Sequence, residues 1–294
     1  LIIAIAQPNS LAKQIAPGQC TFVRLNRVIP VFESQKMIKS FIRIGVVLGL
    51  LSSHMFLSPS LPSRVLGSSL FGTSPAIALT EEEILTKLKG VPVFTVTDPN
   101  GAPLVATVPQ DGSEASSVAG VFISRQDAVN FVNNLKQNNP ELASAVQVTI
   151  VSLGEVYQMS QQARSNPDEL QFAYVPGQQQ VNEAKALLNQ DNFQGVPLFI
   201  ARQNTQEGGY LTIQQGENQI VPTFFNKEDL QGLLENFQAQ QPDLIQSIEI
   251  EVVSLEGLLE ALRTDNDENQ FFDRIQLIPP RETIEFINQQ QSGN

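Results

Sequence analysis

Gly90-Val91-Pro92-Val93-Phe94 returns 105 residues later as Gly195-Val196-Pro197-Leu198-Phe199. The echo continues downstream at an offset of 102, where Phe122, Asp127, Asn134, Pro140 and Leu142 reappear as Phe224, Asp229, Asn236, Pro242 and Leu244. Val151-Ser152-Leu153 recurs as Val253-Ser254-Leu255. Arg164, Asp168-Glu169 and Gln171-Phe172 then match Arg263, Asp267-Glu268 and Gln270-Phe271 at offset 99, and Pro176 matches Pro279 at 103. Such offsets drift where loops absorb residues. Ordered self-similarity of this kind marks a duplicated structural unit of about 100 residues.

Hydrophobic patterning repeats with the identities. Ala128, Phe131, Val132 and Leu135 fall at i, i+3, i+4 and i+7, as do Leu230, Leu233, Leu234 and Phe237, so each set makes one apolar stripe on a helix. Ser124 with Asp127, and Asn226 with Asp229, supply the helix starts, an N-cap oxygen ahead of an acid in the first turn. Thr80 and Glu83 form a capping box for a helix over 80–89. A hairpin is predicted over 91–108, turning at Asp98-Pro99-Asn100-Gly101. Strands near 120–123, 146–151 and 170–175 and a helix from Leu153 complete the unit. Unit two follows the same order from about Val181 to Phe286.

The fold class that follows is α/β (α+β): two pseudo-symmetric repeats of a mixed sheet with packed helices, fused into one body. Unit one is expected over 79–177 and unit two over 178–294. The link between them is not a flexible spacer, since Val181, Ala184, Lys185, Leu187 and Leu188 suit a helix needing a partner surface. This helix is expected to stand where the 80–89 helix stands in unit one. Ile284 and Ile287 mark the matching place after unit two.

Composition closes several function classes. The chain has 294 residues, is 41% apolar and carries a formal charge of −12. That charge is uneven, because residues 1–78 hold seven of the 18 Lys and Arg and a single acid, Glu33. From Leu79 onward the formal charge is −18, which disfavours nucleic acid or an anionic membrane as partner and favours a basic or neutral protein. The single cysteine, Cys20, and the single histidine, His54, both precede Leu79. Without imidazole or thiol, the usual hydrolase bases, nucleophiles and zinc ligands are missing, so no catalytic residue, metal or cofactor is assigned.

The basic N-terminal part reads as a leader. Residues 1–36 are an upstream extension, and 37–78 have the pattern of a secretory signal: Lys39 and Arg43, an apolar run from Ile44 to Leu51, and a small-residue site at Ala76-Ile77-Ala78. Cleavage after Ala78 coincides with the switch in charge. The alternative is a retained anchor, but the clear apolar run is shorter than the roughly 18 residues a spanning helix needs.

Gly90-Val91-Pro92-Val93-Phe94 with its echo, the paired Val-Ser-Leu strand ends and Phe172-Ala173-Tyr174-Val175-Pro176 together resemble the twenty-two-kilodalton Tic family of chloroplast envelope import, in its cyanobacterial branch. The resemblance covers residues 79–288. It implies a two-winged fold, a place in the periplasm or intermembrane space (with the thylakoid lumen as the other exported compartment), and a chaperone-like part in protein transport and outer-membrane biogenesis. The implied partners are unfolded or outer-membrane-bound proteins and the outer-membrane assembly machinery. A docking factor that handles no clients is the alternative.

Three constellations invite a site. Asp168-Glu169 and Asp267-Glu268 suggest a pair of catalytic carboxyls, against the plainer reading of a turn with Arg164 or Arg263 in a surface ion pair. Gly208-Gly209 suggests a phosphate loop but lacks its further glycines and lysine, so a hairpin turn is preferred. Phe271 and Phe272, set among polar residues, and Phe224 and Phe225, after Val221-Pro222, are the candidate partner-binding aromatics, with anchoring in the core as the competing reading.

Overall fold

The computed structural model describes residues 21–24, 79–110, 113–164, 170–204, 209–238, 246–264 and 271–292. Cys20, His54, the signal-like segment and the acidic pairs lie outside them. The described residues belong to one compact unit of the chain; a second unit, Glu33–Ala76, is not among them.

Along the chain run β1 (Thr21–Arg24), α1 (Glu81–Lys89), β2 (Pro92–Thr97), β3 (Val105–Gln110), β4 (Ser113–Phe122), α2 (Arg125–Asn138), α3 (Pro140–Ser144), β5 (Gln147–Ser152), α4 (Leu153–Arg164) and β6 (Gln171–Val175). Then come α5 (Gln178–Leu188), β7 (Pro197–Gln203), β8 (Gly209–Gln215), β9 (Asn218–Phe224), α6 (Lys227–Gln238), β10 (Ile248–Ser254), α7 (Leu255–Thr264), α8 (Phe271–Arg274), β11 (Ile275–Ile278) and α9 (Arg281–Ser292). The strands form two mixed sheets, β2 to β6 in the first and β7 to β11 with β1 in the second.

Both sheets use one pairing scheme. In the first, β2 lies antiparallel between β5 and β4, β3 pairs with β4, and β6 joins β4 in parallel. In the second, β7 lies antiparallel between β10 and β9, β8 pairs with β9, and β11 joins β9 in parallel. Register corresponds too: Phe94 faces Phe122 as Phe199 faces Phe224, and Pro92 faces Ser152 as Pro197 faces Ser254. The parallel ladders set Phe172 opposite Ala119 and Ile275 opposite Val221, so Ile275, not Phe271, is the counterpart of Phe172. The short helix α8, inserted ahead of β11, is what shifts the sequence match. β1 runs antiparallel to β8 at an edge of the second sheet.

The expected hairpin over 91–108 is different in detail. Its turn forms as its residues dictate, with Asp98 Oδ1 accepting from the Asn100 and Ala102 amides at 2.8 and 2.9 Å and Gly101 at φ 91°. Past the turn only Thr97 and Pro103 bridge. The Asp98 amide donates to Ala102 and the Leu104 amide to Val96, both at 2.8 Å, and from Val105 on β3 pairs with β4 instead.

Side chains alternate along the strands into three apolar clusters. Val91 and Val93 of one sheet and Val196, Leu198 and Ile200 of the other face a shared central cluster with α1, α4, α7 and α8. Phe94 and Val96 face away, onto α2 and Phe286 of α9. Phe199 and Ala201 likewise face Ala184 of α5 and Leu230 of α6. Both faces of the central strands are therefore covered, so all of β2 and the first five residues of β7 are buried. Burial of this extent, at roughly 25 cal/mol per Å² of apolar surface, is the main source of stability.

The linking helix does not stand where α1 stands. Helix α1 packs on α4, with Ile84 and Leu88 buried, whereas α5 lies on β7 and β10. The connections explain the difference. Gly90 ends α1 at φ −82° and leads directly into β2, while α5 ends at Asn189, φ 52°, and the chain runs through Phe193 to Gly195, φ 86°, before β7. Helix α9 supplies Phe286 to the cluster on the first sheet. The helix after each unit's last strand thus covers the other unit's sheet.

Polar contacts fix these crossings. Gln180 of α5 accepts from the Lys227 amide at 2.9 Å and donates to Glu228 at 2.8 Å, and Glu183 pairs with Lys227 at 2.6 Å. At the start of α9, the Arg281 amide donates to Asp229 at 3.0 Å.

Candidate binding surface

The four phenylalanines singled out in the sequence are all core residues. Phe271 and Phe272 keep 5% and 7% of their surface exposed, and Phe224 and Phe225 keep 5% and 2%. Phe271 stacks on Tyr210 with ring centroids 5.0 Å apart, and Phe272 tilts against Phe271 at 5.4 Å. Helix α8 accounts for this, since it turns both rings inward from a polar stretch. Gly209 opens β8, which runs antiparallel to β7, while Gly208 lies outside the described residues; a separate turn between β8 and β9 falls at Gly216, φ 61°. Among the described residues no three His, Cys, Asp or Glu side chains form a metal-binding cluster, and no helix is long and apolar enough to cross a membrane.

What the aromatic pairs do not offer, the outer face of the first sheet does. The corresponding face of the second sheet is more fully covered: Phe199, Ala201, Leu211, Ile213, Ile220, Phe224 and Val252 are buried beneath Ala184, Leu230 and Phe237, with Leu188, Phe193, Leu233, Leu234, Ile248, Ile250 and Ile278 partly buried around them. On the first sheet only Phe94, Val96, Phe122 and Ala128 are buried, while Val132, Val146, Val148, Ile150, Val175 and Phe286 are half-covered. Phe131 projects from α2 with 40% of its surface exposed, its ring 5.4 Å from that of Phe122. Leu142 on the neighbouring α3 is also exposed, at 37%, whereas Val105 on β3, 44% exposed, pairs with Ala119 and so lies on the opposite face, beside Leu104 on this one.

The cause lies in a few side chains. Ala128 holds the place that Leu230 holds in α6, so the stripe of α2 is narrower, and Phe131 takes its periodic position without being covered. That exposure has no separate sign in the sequence, because Phe131 sits at the same stripe position as Leu233. Helix α9 reaches this face mainly through Phe286, and beyond it the chain is Gln289-Gln290-Gln291. Arg125, at the start of α2, lies over the Phe286 ring at 4.1 Å and fixes α9 on the rim through a cation–π contact. Nearby, burial holds the Asp127 carboxyl above its usual range. The face is thus mainly apolar with a polar margin, suited to apolar side chains in an extended or partly folded chain rather than to covalent chemistry.

Known proteins place the chain. The sequence model of the Tic22-like family matches residues 30–291. The chloroplastic protein TIC 22 of Arabidopsis thaliana is 24% identical over 234 residues, 78% of this chain and 80% of the relative. Among solved structures, Anabaena Tic22, described as a protein of protein transport, is similar with a TM-score of 0.63 and 32% identity, covering 72% of this chain and 97% of that one. Tic22 from Plasmodium falciparum shares the fold with a TM-score of 0.56 at 19% identity, over 72% of this chain and 98% of that one. With nearly all of its described residues inside the matched region, this chain belongs to the Tic22-like family.

Proposed function

We propose that this protein is an exported, non-catalytic factor of protein transport that holds unfolded segments of client proteins on the outer face of its first sheet. The observation that carries the reading is the contrast between two sheets of one pairing scheme, the outer face of the second with ten buried residues in its cluster and that of the first with four, leaving Phe131 exposed over half-covered core residues. Contiguous exposed apolar surface marks interaction sites. The relatives named for transport or for the chloroplast support this reading, as does a leader with the pattern of an export signal. Clients on the way to an outer membrane, in the periplasm or an equivalent intermembrane compartment, fit both. At stoichiometric ratio the protein is expected to slow the aggregation of an unfolded outer-membrane β-barrel, measured by light scattering. An unchanged aggregation curve removes the proposal.

The formal charge of −18 beyond residue 78 favours a second reading, a docking factor for the assembly machinery. Charge-steered association slows as salt rises. An association rate independent of ionic strength counts against it.

A further inference from the structure

Between α4, β6 and α7, on the side of the first sheet away from α2, lies a cleft of about 330 Å³. Tyr157, Phe172, Tyr174 and Leu259 give it an apolar, largely aromatic lining. Arg164 and Arg263, the sequence-matched arginines of the two units, bring two guanidiniums to it. Their meeting point is Glu260, which pairs with Arg263 Nη2 at 3.3 Å and Arg164 Nη1 at 3.7 Å. Arg263 Nη1 donates to Gln161 at 3.1 Å. Among the described residues its buried Nε has no hydrogen-bond partner, and Arg164 keeps 57% of its side chain exposed with one long ion pair. A buried donor left unmet is costly, and a guanidinium fork matches a carboxylate. Among the described residues the carboxylate in the lining is Glu256, which already accepts the Val196 amide at 3.1 Å. Burial pushes the Tyr157 and Tyr174 hydroxyls up to about 12, so both stay protonated at neutral pH.

We infer that this cleft binds a carboxylate carried on an aromatic or bulky apolar body about the size of one amino-acid residue. The carboxylate takes the remaining Nη donors of Arg164 and Arg263, and the body lies against Tyr157, Phe172 and Tyr174. The volume is at the lower end of the range for small-ligand sites, which fits a single residue rather than a larger cofactor. The site is separate from the client-holding face, whose exposed Phe131 lies on α2 on the other side of the sheet. Its failure and the failure of the proposed function are therefore distinguishable.

The test is NMR titration of the protein from Leu79 onward with N-acetylphenylalanine and, in parallel, with its uncharged amide. A second arm uses a short peptide ending in phenylalanine, with the terminus free or amidated, to separate a free small acid from a polypeptide end. Saturable shifts of Tyr157, Phe172 and Tyr174 are expected with the acids. At least tenfold weaker binding is expected for the amides, and at least fivefold weaker binding for Arg263→Gln and for the more exposed Arg164→Gln. If the free acid binds and the peptide does not, the ligand is a small molecule; the reverse assigns a chain terminus. Equal binding of acid and amide, shifts confined to other residues, or no saturable shift at millimolar concentration overturns the inference. Because Arg164 is mostly exposed, wild-type affinity in its variant also overturns it rather than reflecting misfolding.

Discussion

Two glycines in matching pentapeptides carry different burdens. Gly195 sits at φ 86°, and a Cβ there would collide with the Glu256 carboxylate, whereas Gly90 sits at φ −82° with nothing within 4 Å of an added Cβ. Gly195→Ala is expected to cost about 1 to 3 kcal/mol and Gly90→Ala to stay within about 0.5 kcal/mol, read from denaturant midpoints. The repeat was legible as identity, but this difference was not, since a backbone angle depends on how far upstream the preceding helix ends. Asp229 belongs to the same scale. Burial raises its pKa, opposed by the Arg281 amide and charge. Near pH 2 both folded and unfolded states hold the proton, and as pH rises past the usual aspartate value of about 3.9 the unfolded state releases it first. Stability therefore falls through the window up to the raised folded value. Asp229→Asn removes that fall, so thermal unfolding followed from pH 3 to pH 7 should show the variant gaining on the parent as pH rises; a constant difference contradicts the assignment.

At the scale of elements, the apolar stripes and caps were readable because they are local. Thr80 and Glu83 form the reciprocal box, and Ser124 accepts the Asp127 amide at 3.4 Å. What could not be read was which surface each helix covers. Val181 with Ala184 and Ile284 with Ile287 show only that α5 and α9 need a partner, and the crossing of each onto the other unit's sheet depends on the course of the intervening chain. Candidate aromatics failed for a related reason: Phe271 and Phe272 sit in a polar stretch, but four residues of helix suffice to turn them inward. Ile284, 3% exposed, anchors the returning helix. Ile284→Ala is expected to cost about 2 to 4 kcal/mol by the cavity it leaves, measured by urea unfolding. A loss below about 1 kcal/mol would mean that α9 is not held as described.

On the scale of the whole molecule, one central cluster joins residues of both sheets, and the exchanged helices join them again. Separation would uncover both, so urea denaturation of the chain from Leu79 is expected to give one cooperative transition by fluorescence and circular dichroism; two independent transitions would contradict this coupling. The same architecture frames function. Its second sheet is the more fully covered on the outside, and its first carries an open apolar face, with Phe131 the largest exposed side chain there. Light scattering of an aggregating, unfolded outer-membrane β-barrel, with equimolar parent, Phe131→Ser or Leu187→Ser, tests that assignment most directly. Leu187, equally exposed at 40%, lies on α5 and serves as the control. Both surface changes are expected to cost about 1 kcal/mol of stability or less. The account predicts that parent and Leu187→Ser suppress aggregation alike while Phe131→Ser loses at least half of the effect; equal suppression by all three, or none by the parent, would contradict it.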